Sequence, residues 1–133
     1  LKQRVKQEDL GSTVIFAGHV SDMPRVYNGL DIVVSASTSP EPLGTVVIES
    51  MALGRPLIGP NHGGAAEMIE HGRTGLLFEP KSAVSLSDAI MCFYDSKEKR
   101  ELFRTAARKH ALETFSVAAH VTEIQAVYNR LIS

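Results

Sequence analysis

Four short runs of apolar, largely β-branched residues are spaced along this chain, at positions 14–18, 31–35, 56–59 and 74–78. None alternates apolar with polar residues, so neither face of a sheet built from them can be left to water. Between them lie stretches whose apolar residues recur at helical spacing. Strands alternating with helices, each strand buried on both faces, predict an α/β fold: a Rossmann-like parallel sheet with helices on both faces. In open sheets of this kind ligands bind beyond the carboxyl ends of the strands. The loops that follow the four runs, at positions 18–22, 36–43, 60–64 and 79–82, are therefore where a site is expected.

The helical stretches have readable ends. Residues 22–30 place Met23, Val26, Tyr27 and Leu30 on one side, with Ser21 or Asp22 as N-cap. A helix over 44–53 is stopped by Gly54, and a short one over 65–71 is closed by Gly72. Three consecutive helices then end the chain. Residues 82–95 turn Val84, Leu86, Ala89, Ile90 and Phe93 inward, residues 96–114 turn Leu102, Phe103, Ala106 and Ala107 inward, and residues 116–131 form the last helix.

With 133 residues, 44% hydrophobic and 22% charged, the chain has material for one globular core. A net charge of −1 leaves no basic footprint for a nucleic-acid partner. No apolar run approaches the roughly 18 residues of a membrane span, and a lone Cys92 fits a reducing, cytoplasmic setting. The first residue is Leu1, not Met, and a charged stretch follows. This leads us to expect one partial domain over 1–133, with an α/β core and helices over 1–115 and a C-terminal helix over 116–133. An open sheet edge and uncovered apolar surface would make such a fragment prone to self-association.

The loop at 36–43 and the helix after it carry the densest chemistry. Glu41 stands in a loop rich in Pro and Gly, and Glu49 follows eight residues later inside the helix. Two carboxylates that accept from hydroxyls, beside the free N–H groups of a helix start near Leu43, Gly44 and Thr45, suit a nucleotide-sugar. Glu41 would take sugar hydroxyls and Glu49 ribose hydroxyls. The plainer alternative makes Glu41 a solvated loop residue and Glu49 an exposed helix residue. Glu49 is flanked by Val46, Val47, Ile48, Met51, Ala52 and Leu53, which predicts a mostly buried helix in which a carboxylate needs a partner.

Gly63 and Gly64 follow a strand and open a helix, so their amides could meet an anion there. A simple turn explains them as well, and the Lys that would complete a P-loop is missing. Val20 and Asp22 could edge a nucleobase, and Asp22 could equally cap the next helix. The five histidines show no metal-binding spacing. His110 and His120 read as surface residues, and Cys92 as core or near-core.

In order and spacing, Phe16-Ala-Gly-His-Val20, Pro40-Glu-Pro-Leu-Gly44, Glu49-Ser-Met-Ala-Leu-Gly-Arg-Pro56, Gly63-Gly-Ala-Ala-Glu67 and Gly72-Arg-Thr-Gly-Leu-Leu-Phe78 resemble the C-terminal, donor-binding domain of GT-B retaining glycosyltransferases of group 1 (glycosyltransferase family 4). The likeness runs from about Val14 to Tyr128. It implies that Glu41 is the catalytic-site residue that holds the donor sugar, helped by Pro42, Leu43, Gly44 and Thr45. It implies ribose binding by Glu49 and base contacts by Val20 and Asp22. Leu43 stands where the family often has Phe. No metal and no cofactor beyond the nucleotide-sugar substrate is implied. An Arg and a Lys that clamp the diphosphate, and an N-terminal acceptor-binding domain, belong to parts of the family's proteins preceding this stretch. The likeness therefore implies an enzyme as the parent, at most peripheral on the inner membrane face, and an inactive fragment by itself. Two alternatives remain: a non-catalytic nucleotide-binding or interaction domain, and another GT-B enzyme such as a sugar-nucleotide epimerase. A dinucleotide-dependent oxidoreductase is disfavoured, because no strand is followed by Gly-x-Gly-x-x-Gly.

Overall fold

The computed structural model describes residues 1–132. Helix α1 (Lys2–Gln7) and α2 (Met23–Asn28) precede the first strand, β1 (Val33–Val34). Then α3 (Thr45–Ala52), β2 (Leu57–Pro60), α4 (Gly63–Met68) and β3 (Leu76–Phe78) alternate, and α5 (Ala83–Tyr94), α6 (Lys97–Thr114) and α7 (Val117–Ile132) close the chain. The strands are parallel, in the order β1-β2-β3. Val33 pairs with Leu57, and Ile58 pairs with Leu76.

The central strand explains the layers. Successive residues of a strand point to opposite faces. Leu57 joins one core cluster with Tyr27, Val33, Val47, Met51, Met68 and Ala107. Ile58 joins a second with Leu76, Phe78, Ala89 and Phe93. Helices α2, α3 and α4 thus supply one face and α5 the other, while α6 reaches both, with Ala107 in the first cluster and Phe103 against the second. Both Leu57 and Ile58 are wholly buried, which is why their run shows no polar alternation.

Several expectations need correction. Residues 14–18 form no strand: Ile15 is 87% exposed. The turn at 11–13 takes the first of their amides, the Val14 N–H donating to the Leu10 carbonyl at 2.9 Å, and the rest join no sheet. A strand without a ladder partner has nowhere to place its N–H and C=O groups except water. Helix α4 spans Gly63–Met68, earlier in both its start and its end than expected. It ends because Ile69 turns extended (ψ 114°) and the Glu70 N–H goes to the Thr74 hydroxyl at 2.9 Å. On α6 the inner line runs through Phe103, Ala107 and Ala111, four residues apart, which leaves Leu102 about 100° off that line. Leu102 is exposed, as is Val84 at the start of α5. Among the described residues no helix is long and apolar enough to cross a membrane.

Phe93 is fully buried and meets the edge of Phe103, with ring centroids 5.0 Å apart. Phe93→Ala should lower unfolding free energy by about 3–5 kcal/mol, read from the midpoint of a urea titration. A smaller loss would mean that α5 is not anchored to the sheet through this ring.

Candidate functional site

The last rung of β1 is the Ser35 N–H, which donates to the Ile58 carbonyl at 2.9 Å. The chain then leaves the sheet and returns to it only through α3. The intervening loop is exposed at Glu41, Pro42 and Leu43, and buried at Gly44. Gly44 is the N-cap of α3, with φ −83° and ψ 90°, and it offers no side-chain cap. The first N–H groups of α3 lack intrahelical acceptors, and this is the positive end of the helix.

Two contacts hold Glu41. Its carboxylate accepts from the Ser37 hydroxyl. Its backbone carbonyl accepts from the Gly64 N–H at 2.8 Å. The second contact explains the paired glycines. A Cβ on Gly63 would stand 2.8 Å from the Glu41 carbonyl oxygen, and one on Gly64 would stand 2.7 Å from that of Pro42. Gly63 also has φ +56°, the left-handed region that favours glycine. The turn after β2 is thereby pressed against the loop after β1. The Gly64 amide is spent on that contact and is withdrawn from any anion site.

Glu49 stands differently from the expectation of a buried carboxylate. Helix α3 turns Val47, Ser50 and Met51 inward. Thr45, Val46 and Glu49 share the outer side, and Glu49 is exposed. It still has a partner: the Tyr27 hydroxyl donates to Glu49 Oε2 at 3.0 Å. Tyr27 is only 3% exposed. Burial first, then the hydrogen bond to Glu49 and its charge, push the phenol up to about 12. The sequence carried a signal for this pairing that went unused. A tyrosine at a core-facing helical position needs an acceptor for its hydroxyl.

Asp22 caps α2, accepting from the Arg25 N–H at 3.2 Å, and it is five residues, or about 7.5 Å of helix, from Tyr27. Val20 is half-buried just before it. Glu41, Ser37, Gly44 and His62 line one small cleft of about 10 Å³. His62 is a residue that metal-spacing arguments pass over. A larger cavity of about 830 Å³ lies at the opposite end of α3, against α6. Two of the arginines lining it tie the fold together: Arg104 Nε donates to the Gly54 carbonyl at 3.0 Å, and Arg55 Nη2 to the Asn28 side-chain carbonyl at 3.0 Å. Among the described residues no group of three or more His, Cys, Asp or Glu could hold a metal ion. His110 is less exposed than expected, since it packs against Phe115 and faces Glu70 at 3.5 Å. Cys92 is half-buried, 3.4 Å from the Lys99 ammonium.

A parallel sheet with a glutamate-bearing loop and a helix start at its carboxyl edge defines a Rossmann-like α/β domain. The chain belongs to the family of glycosyl transferases group 1, whose model matches residues 1–110. It is 34% identical over 113 residues to D-inositol 3-phosphate glycosyltransferase of Corynebacterium glutamicum, covering 85% of this chain and 27% of that protein. It is 33% identical over 110 residues to spore coat protein SA of Bacillus subtilis, covering 82% of this chain and 29% of that one. Among solved structures, Anabaena Alr3699/HepE in complex with UDP superposes with a TM-score of 0.91 at 29% identity, covering 97% of this chain and 35% of that chain. The same protein has been solved with UDP-glucose. The chain thus spans about a third or less of the proteins it matches.

The raised Tyr27 phenol sets a pH signature. Between pH ~10, where an unfolded tyrosine ionises, and about 12, where the folded one does, the native state holds a proton that the unfolded state has lost. Stability attributable to this group is therefore full below pH ~10 and falls as pH rises towards 12. Tyr27→Phe should flatten that alkaline slope relative to wild type in urea titrations across this range. Parallel slopes for the two proteins would contradict the pairing with Glu49.

Proposed function

We propose that this chain is the donor-binding part of a retaining glycosyltransferase that moves a sugar from a nucleoside diphosphate to an acceptor. One observation carries the reading: Glu41 and Glu49 flank the start of α3 at the carboxyl edge of the sheet, each held by its own hydroxyl partner. The family membership and the UDP-glucose complex of HepE support it. The retaining course rests on the motif resemblance.

In this reading Glu41, its backbone fixed by Gly64 and its carboxylate met by Ser37, accepts hydrogen bonds from hydroxyls of the transferred sugar. Pro42 and Leu43 form the wall beside it. The amides near Leu43, Gly44 and Thr45 face the sugar and the diphosphate, where the positive end of α3 favours negative charge. That charge grows as the sugar–phosphate bond breaks, so fixed donors there favour the transition state. Glu49 takes the ribose hydroxyls. Tyr27 holds one of its oxygens and leaves it further acceptor capacity. Val20 and Asp22 edge the base. Gly63 would face the diphosphate only through its own amide. The two carboxylates are grips on one donor, and no acid–base pair for cutting a glycosidic bond is needed. Turnover belongs to the parent protein, which we place in the cytoplasm. There the diphosphate-clamping cations and the acceptor-binding domain implied by the resemblance would complete the site.

Apart from that domain, this chain leaves apolar surface open. Ile15, Val117, Leu131 and Ile132 are each more than three-quarters exposed, and β1 has a neighbour on one side only. We infer that the isolated chain self-associates. Light scattering at rising concentration should give a mass above that of one chain, and a steady monomer mass would refute it.

For the function itself, the full-length protein should turn over one of UDP-, GDP- or ADP-sugars. Glu41→Ala should lower kcat/KM roughly tenfold to a hundredfold, the loss of a charge-assisted hydrogen bond. Absence of turnover with every donor, across a panel of lipid, saccharide and small-molecule acceptors, would remove the catalytic reading. Unchanged turnover in Glu41→Ala would remove the role of that residue.

A further inference from the structure

His62 is the last residue before the Gly63–Gly64 turn, with extended backbone at φ −161° and ψ 165°. Among the described residues neither of its ring nitrogens has a hydrogen-bond partner, although both are buried. Leaving two such atoms unpaired is unfavourable for the folded chain. The ring lines the same cleft as Ser35, Ser37, Glu41 and Gly44. At about 10 Å³, the cleft has room for roughly one oxygen-sized group. A phosphate is too large for it, and the Glu41 carboxylate on its wall repels an anion. A hydroxyl fits in size and in chemistry, because it can donate its one hydrogen to Glu41 and accept from a ring N–H of His62 in the tautomer that places a hydrogen there.

We infer that His62 is a specificity-determining residue that pairs with a single hydroxyl of the transferred sugar, opposite Glu41. This rests on the donor-binding reading given above and adds a residue to it. A site whose buried polar group is built to meet one hydroxyl discriminates strongly against a ligand that lacks it.

The test uses the full-length protein and calorimetric binding of UDP-glucose, GDP-mannose and ADP-glucose, each beside its free nucleotide. For the donor that binds, His62→Phe should weaken nucleotide-sugar affinity about tenfold and leave the free nucleotide unchanged. A singly deoxygenated donor lacking the paired hydroxyl should bind wild type about tenfold more weakly, and His62→Phe no more weakly than the parent donor. His62→Gln, which retains a donor and an acceptor, should restore part of the affinity. The melting temperature of His62→Phe should equal or exceed that of wild type, since two unpaired polar atoms are removed. Equal weakening of nucleotide and nucleotide-sugar, unchanged nucleotide-sugar affinity, or a marked fall in melting temperature would each overturn the assignment. Wild type that binds the free nucleotides and none of the sugars would overturn the donor-binding reading itself, and His62 with it.

Discussion

Burial of β2 on both faces is the constraint from which the rest follows. Leu57 and Ile58 are adjacent, wholly buried, and committed to different core clusters. At about 25 cal/mol per Å² of apolar surface removed from water, such residues dominate the stabilisation of a chain this size. Their burial requires helices on both faces of the sheet: the crossover connections through α3 and α4 cover the Leu57 face, and α5 covers the Ile58 face. Those connections place two turns beside each other at the carboxyl edge: the loop from β1 to α3 and the turn from β2 to α4.

Where these two turns meet, the backbone permits little else. Gly63 and Gly64 press against the main chain of Pro40, Glu41 and Pro42 so closely that a methyl group on either would overlap a carbonyl oxygen. One hydrogen bond, from the Gly64 N–H to the Glu41 carbonyl, fixes the register of the contact. The position of Glu41 is thus inherited from β2 through a turn remote in sequence. Such a site tolerates little change in the glycines even though they carry no functional group.

The alternation of strand and helix, the parallel sheet, the three terminal helices and the neighbourhood of the site were legible in apolar periodicity and loop composition. What was not legible has a common physical origin. Residues 14–18 have strand composition, but strand formation is decided by a ladder partner elsewhere in space. The apolar flanks of Glu49 predicted burial, but a helix has a width, and α3 turns only Val47, Ser50 and Met51 fully inward. Glycine pairing at 63 and 64 fits an anion site and a simple turn equally in sequence, and only the close backbone of a second loop decides between them. Sequence places His62 at the head of the glycine turn without giving it a task, because a histidine gains meaning from what its ring fails to meet, and spacing along a chain does not reveal this.

The two carboxylates are supported in unlike ways, and this bears on how each can act. Glu49 is held by a buried tyrosine on another helix, whose phenol keeps its proton until about pH 12. The Tyr27 hydroxyl thus stays a donor across the neutral range, which suits an invariant part of a ligand. Glu41 is held by Ser37, four residues away in its own exposed loop, and beyond that only by the backbone contact to Gly64. A serine hydroxyl can rotate and exchange its acceptor for a ligand oxygen at little cost, so Glu41 is free to adjust when a hydroxyl arrives. In the donor-binding reading proposed above, the tyrosine-held carboxylate would serve recognition of the common part of the donor, and the adjustable one the part that is transferred. On that proposal, variation in sugar preference would fall to the residues that share the cleft with Glu41, and Tyr27 and Glu49 would stand outside it.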